Sequence, residues 1–366
     1  MNLGVVKSNP RVVIASGGTG GHLFPGIAVA EEFRARLGAQ VSFVTTDRPM
    51  ALEILQNYQF PWRLIDSGAL KGQRFWKRLA TLAGLPGSIS QAKKVLQEES
   101  ADLVVGMGGY CSGPVGVAAW RLGIPLVIHE QNAVLGFTNR LLARLADRVF
   151  LTFPDSAGQV APERAIWTGM PLRPEFIQPH PVERPPSPFT ILIMGGSQGA
   201  HHINMQMLAA LAYLQDWRSK LQIIHLTGPA DLDSVREGYR QADFPAEVMA
   251  FSSEVARYMA KAHLVVCRAG ASTVSELTAL GRAAILVPYP YAANQHQEKN
   301  ARFLSDAQAA FLVLNHDLTG AGLAEMIKEL LANPQQLADM ENNSRSLARV
   351  QAGELMVDEC QRLIFR

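Results

Sequence analysis

The chain has 366 residues, which is too long for one ordinary hydrophobic core and predicts two domains. Its 48% hydrophobic and 18% charged residues exclude an intrinsically disordered chain, and a net charge of +2 indicates no class of partner by itself. Three cysteines without C-x-x-C spacing indicate a reducing compartment and argue against a disulfide framework or a zinc site.

Two stretches need testing as membrane-related segments. The first thirteen residues contain no apolar run long enough for a signal peptide. Residues 103–120 are uncharged over eighteen positions, but they contain five glycines and a proline. A glycine-rich loop after a short strand therefore explains this window better than a spanning helix.

Short β-branched runs alternate with helical stretches along nearly the whole chain. In chain order the strand candidates are RVVIAS, QVSFVTT, ADLVVGM, IPLVIHE and RVFLTF, then FTILIMG, LQIIHLTG, AEVMAF, HLVVCRAG and AAILVPYP. Such apolar strands separated by helices predict an α/β fold with parallel sheets covered on both faces. Each half opens with a strand, a glycine turn and a helix, which predicts two doubly wound domains in tandem.

A proline-rich stretch, residues 169–190, marks the boundary between the halves. It predicts a first domain at 1–170 and a second at 171–345. Residues from about 346 to 366 predict a final helix. Periodicity leaves open whether this helix packs on the second domain or returns to the first.

Glycine-rich turns follow three of the predicted strands. They read GGTGGH at 17–22, GMGGYCSGP at 106–114 and GGSQGA at 195–200. Glycines let the backbone approach a ligand, and the N–H groups of the following helix can bind an anion. The spacing lacks the G-x-G-x-x-G fingerprint, and no P-loop motif occurs, so NAD and P-loop nucleotides are disfavoured. Ordinary tight turns of an α/β fold are the alternative to phosphate binding.

His22 lies where the first strand ends and the first helix begins. The carboxyl end of a parallel strand is where such sheets bind ligands. Histidine is also the side chain best suited to act as a general base near neutral pH. His22 is therefore a candidate base, with a surface or helix-capping role as the alternative.

Residues 67–97 contain no acidic residue and carry a formal charge of +6. On a helical wheel their aromatic and leucine side chains share one face and most of the cations lie on another. This pattern predicts a helix that binds an anionic membrane surface. The candidates are Lys71, Arg74, Phe75, Trp76, Lys77, Arg78, Leu79 and Leu82. The alternative to membrane binding is a helix whose apolar face packs on the protein and whose cations are solvated. Nucleic acid is disfavoured as a partner because no binding motif accompanies the charge.

The second half contains two segments whose chemistry suits a nucleotide sugar. In residues 265–281, Ser272 and Thr273 can present a helix N-terminus to phosphate, and Glu276 can accept hydrogen bonds from ribose. The same Thr273 and Glu276 fit an ordinary capping box. Residues 288–301 are rich in amides that can bind sugar hydroxyls or form a solvated loop, and residues 129–136 offer similar chemistry in the first half.

These motifs, in this order and over nearly the whole chain, resemble the MurG family of peptidoglycan N-acetylglucosaminyltransferases. The resemblance rests on GGTGGHLFPGIAVA, MGGYCSGP, HEQN, GGSQGA, CRAGASTVSE and HQEKNA. It implies two Rossmann-like domains facing a cleft, the GT-B fold. It also implies inverting transfer of GlcNAc from UDP-GlcNAc to the 4-hydroxyl of the MurNAc of lipid I, giving lipid II and UDP. The implied location is peripheral, at the cytoplasmic face of the bacterial inner membrane.

The resemblance also implies roles for individual residues. The donor-binding residues would be Thr19, Gly20, Gly21, Asn132, Arg173, Ser197, Phe251, Ser252, Ala271, Ser272, Thr273, Glu276, His296 and Gln297. Ser197, Ser272 and Thr273 would contact the diphosphate. The acceptor-binding residues would be Gly18, Gly20, Gly21, Gly108, Gly109 and Tyr110. His22 would be the base, and Glu130 is a second catalytic candidate.

The same resemblance implies the partners. They are UDP-GlcNAc, lipid I and an anionic membrane surface, with other cell-wall synthesis and division proteins left open and nucleic acid excluded. No metal site and no required cofactor are expected, and stimulation by a divalent ion through the diphosphate is left open. A UDP-GlcNAc 2-epimerase of the same architecture is the alternative function; the basic segment and GGTGGHLFP argue against it. The stretch FSSEV at 251–255 departs from the family pattern, so uracil would be read by backbone there.

Overall fold

The chain forms two compact units. The computed structural model describes residues 9–17, 20–67, 75–178 and 184–365, with the backbone alone for 75–83. Unit 1 comprises Met1–Arg173 and Val350–Arg366, and unit 2 comprises Pro174–Arg349. The chain therefore leaves unit 1 a few residues beyond the boundary predicted at 170 and returns to it for its last segment.

Unit 1 contains a parallel sheet of seven strands flanked by helices. Its strands are β1 Arg11–Ala15, β2 Gln40–Thr45, β3 Trp62–Leu64, β4 Leu103–Gly106, β5 Leu126–Glu130, β6 Arg148–Leu151 and β7 Ala165–Trp167. The helices between them are α1 Gly20–Leu37, α2 Pro49–Asn57, α3 Phe75–Glu98, α4 Ser112–Leu122 and α5 Phe137–Leu142. The order β3-β2-β1-β4-β5-β6-β7 reverses between β1 and β4, the switch point where doubly wound sheets bind ligands.

Both faces of the seven-stranded sheet are buried, which explains its uninterrupted apolar strands. Val12 and Ile14 of β1 join one core cluster, together with residues of α1. Val13 and Ala15 join a second cluster on the opposite face, together with residues of α3 and α4. Successive side chains of a strand point to opposite faces, so a strand covered twice must be apolar throughout.

Unit 2 contains a second parallel sheet, of six strands in the order β10-β9-β8-β11-β12-β13. These strands are β8 Phe189–Met194, β9 Leu221–Leu226, β10 Ala246–Met249, β11 Leu264–Cys267, β12 Ala283–Leu286 and β13 Ala310–Leu312. The helices are α6 Pro174–Ile177, α7 His201–Ala210, α8 Leu232–Gln241, α9 Val255–Lys261, α10 Ala271–Leu280, α11 His296–Ser305, α12 Gly320–Ala332 and α13 Pro334–Ser346. The strand order reverses between β8 and β11, the second switch point.

The last helix, α14 Ala352–Ile364, belongs to unit 1. Met356 and Cys360 are buried in the same core cluster as Phe33 of α1. Arg36 of α1 pairs with Asp358 at 2.7 Å. Apolar packing and this ion pair therefore hold the chain terminus on α1.

Two of the predicted segments can now be placed. Residues 103–120 form β4, a glycine loop and most of α4, as predicted, and none of the helices in the described ranges is long and apolar enough to cross a membrane. The basic segment is helical from residue 75 onward. Lys71 and Arg74 lie outside the described residues, as do the side chains of Phe75, Trp76, Lys77, Arg78, Leu79 and Leu82.

Candidate active site

In unit 1 the glycine loops after β1 and β4 pack backbone against backbone. The Gly17 N–H donates to the Gly108 carbonyl at 3.0 Å. A Cβ on Gly109 would lie 2.5 Å from the Gly17 Cα, so only glycine permits this approach. Gly108 and Gly109 also have φ values of +87° and +81°, which other residues rarely adopt. The Ser112 hydroxyl lies 2.7 Å from the Gly108 carbonyl and 2.9 Å from that of Ala15, and it closes the β4 loop over β1.

His22 lies in the first turn of α1, with its imidazole against Gly108. A Cβ on Gly108 would be 2.9 Å from His22 Cδ2 and 3.4 Å from Gln131 Oε1, so the missing side chain makes room for the ring. Residue 108 follows β4 and residue 131 follows β5. The structure therefore places the candidate base at the carboxyl ends of three neighbouring strands.

A buried neutral histidine, His129, holds the side chain of Gln131 in place. His129 Nε2 lies 3.2 Å from the Gly169 carbonyl, and its Nδ1 lies 3.1 Å from the Gln131 amide nitrogen. The same amide donates to the Met107 carbonyl at 2.8 Å. Burial lowers the pKa of His129 to about 4, against the hydrogen bond to Gly169, and the nearby His22 lowers it further. His129 therefore orients Gln131 without placing a positive charge beside His22.

Glu130 is buried, and hydrogen bonds within the following loop occupy its carboxylate. It accepts hydrogen bonds from the backbone of Asn132 at 3.0 Å, the backbone of Gly136 at 2.9 Å and the Asn139 amide at 2.9 Å. Burial raises the pKa of Glu130, and these hydrogen bonds oppose the rise. Such contacts favour a role in shaping the loop over the catalytic role expected from the sequence.

The other candidates of unit 1 lie around these loops. Gly20 and Gly21 open α1, and Tyr110 is an exposed residue of the β4 loop. Arg173 ends the first segment of unit 1, with its guanidinium 4.7 Å from the centre of the Phe24 ring. Gly18 and Thr19 lie outside the described residues.

In unit 2 the glycine loop after β8 interlocks with the loop after β9. Gly199 has a φ of +76°, and a Cβ there would lie 2.7 Å from the Thr227 carbonyl carbon and closer still to its oxygen. A Cβ on Gly228 would lie 2.5 Å from the Gln198 carbonyl carbon. This packing leaves Ser197 exposed at the tip of the loop.

Helix α10 begins earlier than a capping box at Thr273 requires. Its N-cap is Gly270, which has no side chain to cap the helix, so Thr273 lies within the first turn. The capping-box interpretation of Thr273 and Glu276 is therefore wrong. Ser272, Thr273 and Glu276 are all partly exposed on this helix, whereas Ala271 is buried. The first turn thus presents hydroxyl groups and backbone N–H groups together, as anion binding requires.

The amide-rich segment of unit 2 is folded rather than loosely solvated. The side-chain Oε1 of Gln297 accepts a hydrogen bond from the Tyr289 backbone N–H at 2.9 Å, and His296 Nδ1 lies 2.8 Å from the Ala293 carbonyl. The buried Asn300 donates to the Ala269 carbonyl at 3.2 Å and so ties α11 to the turn before α10. Of the two uracil candidates, Phe251 is exposed, and the Ser252 hydroxyl accepts from the Glu254 backbone.

An open cavity of about 410 Å³ lies beside the glycine loop of unit 2. Its lining residues are Gly195, Gly199, Ala200, His201, His202, Arg268, Tyr289, Pro290, Tyr291, Gln297 and Asn315. Arg268 is held by the carbonyls of Val287 and Pro288 and by Asn315 Oδ1 at 2.8 Å. Of these residues the sequence predicted a binding role only for Gln297 and the glycine loop. The others lie at the start of α7 and in the loops after β11, β12 and β13, which are far apart in the sequence.

Comparison with known proteins agrees with this two-unit architecture. Residues 12–151 match the glycosyltransferase family 28 N-terminal domain, and residues 190–356 match the glycosyltransferase family 28 C-terminal domain. The crystal structure of Acinetobacter baumannii MurG superposes with a TM-score of 0.79 at 33% identity, covering 96% of this chain and 100% of that one. The UDP-GlcNAc 2-epimerase of Neisseria meningitidis, at 15% identity and a TM-score of 0.68, shares the fold alone.

The two matches define a glycosyltransferase built from both family 28 domains. A UDP-N-acetylglucosamine--N-acetylmuramyl-(pentapeptide) pyrophosphoryl-undecaprenol N-acetylglucosamine transferase from Syntrophus aciditrophicus is 42% identical over 97% of this chain and 99% of its own. The enzyme of that name from Myxococcus xanthus is 41% identical over 97% of this chain and 94% of its own. The chain belongs to this family of transferases, the MurG family.

Proposed function

We propose that the protein transfers GlcNAc from UDP-GlcNAc to the N-acetylmuramyl sugar of undecaprenyl-pyrophosphoryl-MurNAc-pentapeptide, which releases UDP and forms lipid II. The observation that carries this proposal is the 42% identity to a transferase of that name over 97% of the chain. Unit 2 supplies the donor site in this proposal, and unit 1 supplies the acceptor site.

The donor site is built from the carboxyl ends of β8 and β11. Ser197 of the glycine loop and the first turn of α10, with Ser272 and Thr273, bind the diphosphate. Glu276 accepts hydrogen bonds from the ribose hydroxyls. The side-chain Oε1 of Gln297 already accepts a hydrogen bond from Tyr289, so the side-chain Nε2 of Gln297 supplies the donors for the sugar. As the C–O bond breaks, negative charge develops on the diphosphate, and the N–H groups and hydroxyls stabilise it without reorganisation.

The acceptor site is built from the loops that surround His22. The backbone of Gly108 and Gly109 approaches the acceptor diphosphate, and Tyr110 borders it. His22 takes the proton of the sugar 4-hydroxyl as that oxygen attacks the anomeric carbon from the side opposite the UDP, which inverts the configuration. Glu130 contributes indirectly, because it fixes the loop that carries Asn132.

A peripheral position at the cytoplasmic face of the inner membrane fits a lipid-linked acceptor. Besides the basic stretch 67–97, three apolar side chains of α4 and α5 are exposed: Trp120, Phe137 and Leu141. Exposed arginines, Arg121, Arg140 and Arg144, lie on or next to these helices. Apolar side chains bordered by cations suit a membrane interface, where each cation contributes about 1 kcal/mol near anionic lipids.

The test is UDP release from UDP-GlcNAc with and without a lipid I analogue, with product analysis by mass spectrometry. The proposal expects release that requires the analogue, together with a disaccharide product. Epimerised sugar or release without any acceptor would replace it with the epimerase alternative. The same assay in EDTA checks the further proposal that no metal is required, since activity should persist. Co-sedimentation with anionic vesicles checks the membrane attachment.

A further inference from the structure

Helix α7 begins with a histidine that is held by a carboxylate. His201 Nδ1 lies 2.9 Å from Asp231 Oδ1, and the second Asp231 oxygen accepts from the Asn204 amide at 2.8 Å. The Asp231 side chain is 14% exposed, whereas that of His201 is 74% exposed. Within the described part of the chain, His201 Nε2 has no hydrogen-bond partner. The ring is thus fixed through one nitrogen, and the other can meet a ligand.

A chain of buried hydrogen bonds fixes the Asp231 carboxylate. Asn204 Oδ1 lies 3.0 Å from His225 Nε2, and His225 Nδ1 lies 2.9 Å from the Tyr239 hydroxyl. Burial lowers the pKa of His225 to about 3, so this histidine is neutral and adds no charge of its own. A fully bonded buried network of this kind holds its members rigidly. It sets the position of Asp231 and, through it, of His201.

The histidine lines the open cavity next to the loop proposed to bind the diphosphate. Gly195 and Gly199 of that loop share the cavity with it. Asp231 is the charged partner of His201, and the Arg268 guanidinium lines the same cavity. His202, Tyr289 and Tyr291 are the other titratable groups on the cavity wall. A negative charge close to a histidine favours its charged form, so an anionic ligand in this cavity would pair with an imidazolium on the cavity wall.

We infer that the Asp231–His201 pair holds an imidazolium against the diphosphate of UDP-GlcNAc and of the UDP product. The identity of the ligand rests on the proposed function, and the pair itself rests on the geometry of unit 2. In this role His201 is a binding residue for the leaving group, and Asp231 is its positioning residue.

The test is calorimetric titration of the full chain with UDP-GlcNAc between about pH 5.5 and about pH 8.5, the range in which histidines change charge. The sugar-linked diphosphate keeps its charge over this range, so the protein causes any change in affinity. We expect the wild type to bind more tightly as the pH falls. His201→Gln should bind about tenfold more weakly near pH 6, or ~1.4 kcal/mol, with a flat profile. His201→Arg should bind UDP-GlcNAc tightly at every pH. In Asp231→Asn the affinity should rise only at a lower pH than in the wild type.

His316→Gln is the matched control. Its side chain is 76% exposed and lies 3.5 Å from Asp317, yet it does not line the cavity. It should bind UDP-GlcNAc like the wild type. If the affinity of His201→Gln for UDP-GlcNAc depends on pH as in the wild type, the inference is overturned. Equal losses of affinity in His201→Gln and His201→Arg would also overturn it, because they indicate a purely structural role. Wild-type protein that binds UDP-GlcNAc but does not glycosylate the lipid I analogue would instead refute the proposed function and leave this inference standing.

Discussion

Replacement of Gly199 by alanine tests whether the interlocked loops of unit 2 create the donor site. The residue has a φ of +76°, and for alanine this conformation costs about 1–2 kcal/mol. The new Cβ would also lie 2.7 Å from the Thr227 carbonyl carbon, where no rotamer change can relieve the overlap. Overpacking of this kind costs about 1–3 kcal/mol. We therefore expect a loss of about 2–5 kcal/mol in the free energy of unfolding, or about 4–20 °C in the unfolding temperature of a domain of this size.

Circular dichroism measures the unfolding temperature, and calorimetric titration measures the affinity for UDP-GlcNAc. The backbone relieves the overlap by moving the loop away from Thr227, so donor affinity should fall together with stability. Gly84→Ala is the control, because a Cβ there meets no atom of the described residues within 4 Å and Gly84 lies in a helix. It should leave donor binding unchanged and stabilise α3 slightly. A Gly199→Ala protein with wild-type unfolding temperature and donor affinity would refute the reasoning.

Three further predictions concern the proposed site and the buried histidines. Glu276→Ala should raise the KM for UDP-GlcNAc about 10- to 100-fold, because it removes charged hydrogen bonds to the donor; an unchanged KM in steady-state assays would exclude the ribose contact. His22→Ala should lower kcat by about 10²–10⁴ with donor affinity retained, and a near-normal kcat would exclude it as the base. Burial lowers the pKa of His129 to about 4 and of His225 to about 3, so below pH 6.5 the unfolded chain binds more protons. Each histidine therefore contributes stability above pH 6.5 that is lost as the pH falls, about 3 kcal/mol by pH 4, and NMR should find both rings still neutral at about pH 5.

The central strands of both sheets could be predicted from the sequence, because their signals are local. Each is an apolar run, and a glycine-rich turn follows β1, β4 and β8. Burial on two faces explains the apolar runs, and close backbone packing explains the glycines. Three strands escaped prediction: β3, β7 and β13. Each has only three residues, and each lies at an edge of its sheet. Such short edges lack the uninterrupted apolar run that identifies a buried strand.

The roles of single side chains could not be predicted where distant residues decide them. The sequence offered Glu130 as a catalytic candidate, and nothing in it showed that Gly136 and Asn139 donate hydrogen bonds to this carboxylate. The pairing of His201 with Asp231 spans thirty residues and has no local pattern. The apolar stripe of α14 suited either unit, and only its contact with α1 decides its place.

The two sheets use their glycine loops in different ways, and the difference matches the ligands proposed for them. In unit 1 the loop after β1 packs on the loop after β4 through Gly17 and Gly109, which closes the switch point between these strands. In unit 2 the loop after β8 packs on the loop after β9 through Gly199 and Gly228, on the side away from β11. The second switch point therefore stays open, and the cavity beside Arg268 lies there. An open switch point can take in a soluble nucleotide sugar. At the closed one, the outer backbone of Gly108 and Gly109, with His22 and Tyr110 beside it, can meet the proposed lipid-linked diphosphate.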